Sequence, residues 1–380
     1  MTAKERMCTA LAGGKPDRAP VAPFVWGAEY RWRAIGMEIW ELLYGDPEIS
    51  FEANDRLQQR HAFDWMFVQR FGNGWLKDKR VEQRGARTFF IDPAGVEYEF
   101  LKDGHQLVRA DRSAFPAANA GIVDRDIRSR GDVDALLEAL GRDFYANSTS
   151  GDQGWERRLI ERYGDSLFMS AEQISPFVDA CYALGFETSM MMLIERPELF
   201  TYLAETLLEY SLPRYAEAAR AGYDGILIVE SWASADIISP RQYAQFAFPY
   251  QKAAIAAAHA QGLKVVFYTT GAIMPFLEQM RGLGMDALTV EEGRKGAPND
   301  IAEIRRVLGP EQCLFGNFDV EQTLLRGSRD EMRAEVLRQI EGAGRDGAFV
   351  MGTGSPICDD TPPEQVDLWI ELTHELGAYD

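Results

Sequence analysis

Eight short runs rich in β-branched and aromatic residues recur along this 380-residue chain, separated by stretches with helical spacing. They are Val21–Trp26, Asp64–Gln69, Leu167–Gln173, Gly225–Glu230, Lys264–Thr270, Ala287–Glu292, Cys313–Phe318 and Ala348–Thr353. Each is bounded by turn residues and is too short for a buried helix. The gaps hold helical patterns such as Pro197–Ala221 and Pro240–Gln261, each opening on a proline, which suits a helix's first turn. Eight strand–helix units in one chain predict an α/β fold of the (β/α)8 TIM barrel type. Such a barrel takes up the whole length, so residues 1–380 are expected to form a single domain.

The alternation fails between Gln69 and Leu167. There Thr88–Phe100 reads as a hairpin turning at Asp92-Pro93-Ala94-Gly95. A helix over Val133–Tyr163 follows, expected to break near Asn147–Gly154. With no linker on either side, this stretch reads as a hairpin and helix insertion after strand 2. Near the N-terminus, Thr2 and Glu5 fit a capping box opening a short helix that Gly13-Gly14 ends.

Charge narrows the function classes. Asp and Glu number 59 against 40 Lys and Arg, a net charge of −19, which repels both a nucleic-acid backbone and an anionic membrane. No apolar run approaches the roughly 18 residues of a membrane span. Met1–Arg6 lacks the apolar core of a secretory signal. Cys8, Cys181, Cys313 and Cys358 lie far apart with no CxxC spacing, so reduced cysteines and a cytoplasmic location are expected.

Barrels of this type place functional groups at the C-terminal ends of their strands. Those positions hold Trp26, Gln69-Arg70 (with Asp64 near the start of the second run), Glu172-Gln173, Glu230-Ser231, Tyr268 and Thr270, Glu291-Glu292, Asn317 and Asp319, and Thr353. An acidic, hydroxyl-rich mouth suits a small-molecule site. None of His61, His105, His259 and His374 stands at a strand end, so a Ser-His-Asp or Cys-His system has no base. No HxH or HxxxH pair seeds a metal site, and no dinucleotide fingerprint or P-loop lysine is present. Gly352-Thr353-Gly354-Ser355 lies where barrels hold phosphate, or serves turn geometry alone. Trp26, Tyr30, Trp32, Phe63, Trp65, Phe71 and Trp75 either pack the core or line a flat slot at the rim.

Several ordered pieces carry a family likeness. They are Lys4-Glu5-Arg6 with Pro16-Asp17-Arg18-Ala19-Pro20-Val21, then Phe63-Asp64-Trp65, Ser175-Pro176-Phe177 and Leu184-Gly185-Phe186-Glu187. Arg196-Pro197-Glu198-Leu199, Ser239-Pro240 with Phe248-Pro249-Tyr250, Gly316-Asn317-Phe318-Asp319 and Thr361-Pro362-Pro363-Glu364 complete the order. In this order the chain resembles the uroporphyrinogen decarboxylase superfamily, including its branch of corrinoid-dependent methyltransferases. The resemblance implies a (β/α)8 barrel, and a homodimer.

The decarboxylases carry Arg-Gln-Ala-Gly-Arg-Tyr after strand 1, where this chain has Trp26-Gly27-Ala28-Glu29-Tyr30, with Arg31 and Arg33 nearby. Their Gly-His-Gly turn is matched here by Thr353 between glycines, whereas Asp64 falls at the position of their catalytic aspartate. The methyltransferase branch binds zinc through His-x-Cys after strand 5, a cysteine after strand 8 and a strand-4 carboxylate. Those positions hold Tyr268, Thr270, Thr353 and Glu230 here, and hydroxyls are poor zinc ligands. No metal site is therefore expected, and Glu230 and Tyr268 either form an acid–base pair or bond each other and fill the space.

The resulting expectation is a methyltransferase-like enzyme using Asp64, Glu230 and Tyr268, with Trp26, Gln69, Phe177, Thr270, Asn317, Asp319 and Thr353 shaping the pocket. The resemblance implies a corrinoid supplied by a partner protein, since the Asp-x-His-x-x-Gly signature is absent here. The alternatives are a carboxy-lyase and a non-catalytic binding barrel.

Overall fold

The computed structural model describes residues 1–111, 127–141, 154–293 and 296–379. Among these, eleven strands appear in chain order. They are β1 (Trp65–Phe67), β2 (Arg80–Arg84), β3 (Arg87–Ile91), β4 (Glu97–Leu101), β5 (Gln106–Arg109), β6 (Phe168–Ile174), β7 (Gly225–Glu230), β8 (Lys264–Thr269), β9 (Ala287–Val290), β10 (Cys313–Phe315) and β11 (Phe349–Val350). A curled parallel sheet has the order β1-β6-β7-β8-β9-β10-β11, and β2 to β5 form a separate antiparallel sheet. The Ile-Leu-Ile-Val core of β7 and the Val-Val-Phe-Tyr of β8 are largely buried, as strands covered on both faces require.

Seven of the eight expected runs contain strands of the parallel sheet. Val21–Trp26 does not form a strand. Pro20 and Pro23 have no N–H to give a ladder, so Val21 alone bridges, to Met351. The segment is nevertheless bonded on both sides. The Ala22 N–H donates to the Met351 carbonyl at 2.9 Å and the Met351 N–H to the Pro20 carbonyl at 2.8 Å. On the other flank the Asp64 N–H donates to the Val21 carbonyl at 2.8 Å.

The expected hairpin is β3 and β4, with Thr88 opposite Phe100. Asp92 Oδ1 accepts from the Ala94 and Val96 N–H groups and Gly95 takes φ +83°, which a side chain would resist. The helix expected over Val133–Tyr163 is represented by Arg130–Leu140 and Gly154–Tyr163, and the intervening break lies outside the described residues. Pro240–Gln261 is helical with a π turn at Tyr243–Ala247. Pro249 has no N–H for the Gln245 carbonyl, and the Phe248 N–H instead reaches back to Tyr243. The Thr2–Glu5 capping box is in place. No single helix among the described residues is long and apolar enough to cross a membrane.

Candidate active site

Because every strand of the curled sheet runs the same way, all C-terminal ends share one face. Side chains alternate along each strand, so register decides which residues reach the inner face. Glu172 pairs with Leu227, and Val229 with Tyr268, so these positions share that face. Five rings fill the space beneath the mouth. Tyr268 packs on Phe24 at 4.7 Å, Phe24 on Phe67 at 5.6 Å, Phe67 on Trp65 at 5.7 Å, and Trp65 on Phe315 at 5.6 Å.

Above this plug stands Glu172. The Trp26 indole N–H donates to one carboxylate oxygen at 3.1 Å, and the Gln69 amide to the other at 2.9 Å. Gln69 is oriented in turn by the Gly27 N–H, which donates to its Oε1 at 3.2 Å. Burial pushes the Glu172 carboxyl above the usual range, against these two donors. Trp26 is 46% exposed, so the carboxyl lies just under the rim. Nearby, Tyr182 and Phe186 pack edge-on against Trp232 at 5.2 and 5.3 Å. Burial, and then the charges of Asp179, Glu172 and Glu230, push up the Tyr182 phenol. A carboxyl of raised pKa beside exposed aromatic faces is a better-placed proton donor to a flat apolar molecule than an ordinary carboxylate.

The expected site residues do not form one cluster. Trp26 and Gln69 join Glu172. Glu230 pairs in register with Thr269, one residue beyond Tyr268, and therefore faces the helices instead of the mouth. Its carboxylate accepts from Ser175 Oγ, Gln251 Nε2 and the backbone N–H groups of Trp232 and Ala233. The expected Glu230–Tyr268 pair is thus absent. Tyr268 donates to the Gly354 carbonyl at 3.1 Å, and burial, reinforced by Glu291 and Glu292, holds the phenol neutral.

Asp64 precedes β1 and so lies at the opposite end of the sheet. It accepts from Arg6 Nη1 at 2.6 Å, Arg18 Nη1 at 2.8 Å and the Val21 N–H at 2.7 Å. It is a scaffold carboxylate, a correction to its expected catalytic role. Phe177 is fully buried against Phe200 in the helical layer, apart from Glu172 and its partners. Thr270 ties down the Ser231 carbonyl, and Thr353 Oγ1 accepts from the Phe24 N–H. Asn317 and Asp319 line a cavity of about 490 Å³ with Glu292, Asn299, Glu335 and Arg338. Neither Glu172 nor Tyr268 borders that cavity.

Two ligand sets can be tested on this geometry. The positions resembling zinc ligands do not fit the ion: two of the hydroxyls bond backbone carbonyls, Thr353 accepts a backbone N–H, and Glu230 faces away. Among the described residues, no three His, Cys, Asp or Glu side chains gather to hold a metal ion. A polycarboxylate would need cations at the mouth. Arg31 is buried in the scaffold against Phe71, and Arg33 donates to the Asp359 carbonyl.

Sequence reasoning noted Glu172 at a strand end but did not select it, and it missed Tyr182, Phe186 and Trp232. The available signal for Glu172 was its position two residues before the end of a buried strand, an ionisable group within an apolar run.

The family model described as Uroporphyrinogen decarboxylase (URO-D) matches residues 156–376. A uroporphyrinogen decarboxylase of Geobacter metallireducens is 27% identical over 210 residues, covering 53% of this chain and 58% of that protein. One from an Anaeromyxobacter species is 27% identical over 256 residues, covering 66% and 70%. This chain therefore matches less than two thirds of the length of the first relative. In fold, it is similar to a methyltransferase from Methanosarcina mazei, with TM-score 0.68 at 19% identity over 99% of both chains. It is also similar to a B12-independent methionine synthase from a Shewanella species, with TM-score 0.50 at 10% identity over 94% and 98%.

Proposed function

Because the chain belongs to the uroporphyrinogen decarboxylase family, we propose that it is a methyltransferase-like enzyme working without the zinc of that branch. In this reading residues 20–22 complete the eighth position of a (β/α)8 barrel forming one domain. The substrate is a small methoxylated aromatic, and the methyl acceptor is a corrinoid carried by a partner protein. The end-to-end fold likeness to a methyltransferase supports this reading.

The observation that carries the proposal is Glu172, a buried acid beneath an aromatic rim, in a mouth where Arg31 is buried and Arg33 donates to the Asp359 carbonyl. The ring of the substrate lies against Trp26 and Trp232. As the bond between methyl carbon and oxygen breaks, its electron pair stays on oxygen, and Glu172 delivers the proton that keeps the leaving group neutral. A corrinoid presented by a partner protein would supply the nucleophile, while Trp26, Trp232 and Glu172 would hold the substrate and protonate its oxygen. Tyr268 and Thr353 hold the floor of the site through the loop after β11. Gln69 and Trp26 orient the carboxyl.

Glu172→Gln is expected to lower kcat about 100-fold or more, with KM changed little, in a demethylation assay supplied with a corrinoid acceptor. Activity of the unaltered protein is expected to fall as pH rises through the raised Glu172 pKa, because the protonated form is the donor. An unchanged kcat removes Glu172 from the mechanism. The names of the curated relatives favour a carboxy-lyase instead. Release of carbon dioxide from uroporphyrinogen, with no demethylation, would establish that second reading.

A further inference from the structure

Arg31 is 1% exposed on the helix Glu29–Ile35, and among the described residues no carboxylate stands against it. Among the described residues its guanidinium makes two long contacts, to Asn54 Oδ1 at 3.5 Å and the Val25 carbonyl at 3.4 Å, and its Nε meets no acceptor there. The Phe71 ring lies 4.9 Å away, a weak compensation for a buried charge. Burial alone pushes its pKa down to about 9, so the group still carries its charge at neutral pH. Taking an ion out of water costs several kcal/mol unless a counter-charge or well-made hydrogen bonds restore what water gave.

Beside the guanidinium is a cavity of about 20 Å³, lined by Val25, Asn54, Leu57, Trp65 and Phe67 among others, with no acidic side chain. That space takes one water-sized occupant. A water molecule would satisfy a donor but leave the charge unbalanced, and acetate or nitrate, with four heavy atoms, is too large. We propose that this cavity is a binding site for a monatomic halide ion, chloride in the cell, held by Arg31 and seated behind the aromatic plug at Trp65 and Phe67. The site is independent of the methyl-transfer reading, because none of the groups assigned to chemistry lines it.

The test uses the purified full chain moved from gluconate into chloride or bromide at constant ionic strength. The thermal midpoint is expected to rise by roughly 5 °C at saturating halide, with acetate and nitrate giving no rise. Arg31→Met is expected to abolish the response. Val25→Ile keeps Arg31 and adds one methylene to the cavity, so it is expected to abolish the response too, which keeps the test open if Arg31→Met fails to fold. A bromide-soaked crystal is expected to show an anomalous peak in the cavity. Equal midpoints in halide and gluconate, or a cavity filled by water in bromide, would overturn the proposal.

Discussion

Glu230 uses both carboxylate oxygens to join the end of β7 to two helices and to its own following turn. Glu230→Ala would leave a hydroxyl, an amide and two backbone N–H groups buried without an acceptor, an expected loss of about 3 kcal/mol or more in denaturant unfolding. Glu230→Gln retains an acceptor for the backbone pair and is expected to lose less. Beside it, burial pushes the Asp179 carboxyl up to about 8, against the pull of Arg214 and with the charge of Glu230 adding to it. The folded chain therefore holds a proton that the unfolded chain releases near the ordinary value of 3.8. Stability from this group is full below that value and is lost as pH rises toward 8. The thermal midpoint is expected to fall between about pH 4 and 8, and Asp179→Asn to flatten that slope; equal slopes would refute the assignment. These roles were hidden in the sequence because a one-residue step along a strand reverses the face, and Tyr268 and Glu230 differ by that step in register.

At the scale of elements, the loop after β11 governs how the mouth is assembled. A Cβ on Gly354 would run into the backbone nitrogen of Glu292 and lie 2.6 Å from its Oε2. The Ser355 hydroxyl donates to that same carboxylate at 2.8 Å, while the Gly354 carbonyl accepts from Tyr268. The Gly-Thr-Gly-Ser turn thus serves close backbone approach. Gly354→Ala must push the turn off the end of β9, and its expected effect is a drop in kcat/KM of at least tenfold with a lower thermal midpoint. A variant with unaltered kinetics would show that the turn does not hold the site. Seven strands were legible because runs such as Gly225–Glu230 combine β-branched residues with turn boundaries. The first run read wrongly because its apolar residues outweighed two prolines that cannot donate to a ladder. The hairpin at Asp92–Gly95 was legible from turn chemistry alone.

Across the whole molecule, Asp64 is the point where the N-terminal helix Ala3–Leu11, the segment through Arg18 to Val21, and β1 are held together. Its side chain is 2% exposed and that of Arg6 is 9% exposed, so the ion pairs are shielded from salt. Asp64→Ala would leave Arg18 without this counter-charge and Arg6 with Asp17 alone, an expected cost of about 3 kcal/mol measured by urea unfolding. A change below 1 kcal/mol would mean that water replaces the carboxylate there. The resemblance placed this aspartate in the chemistry, although its position at the start of the second run already set it at the end of the strand away from the mouth. The same region joins the two ends of the described chain. Arg18 bridges Ala378, the Ala19 N–H donates to the Gly377 carbonyl, and residues 20–22 are bonded to Met351. On the ribosome, this seam has to wait until Met351, Gly377 and Ala378 have emerged. Until then residues 20–22 present an unshielded flank to neighbouring nascent chains, the period when chaperone protection matters most.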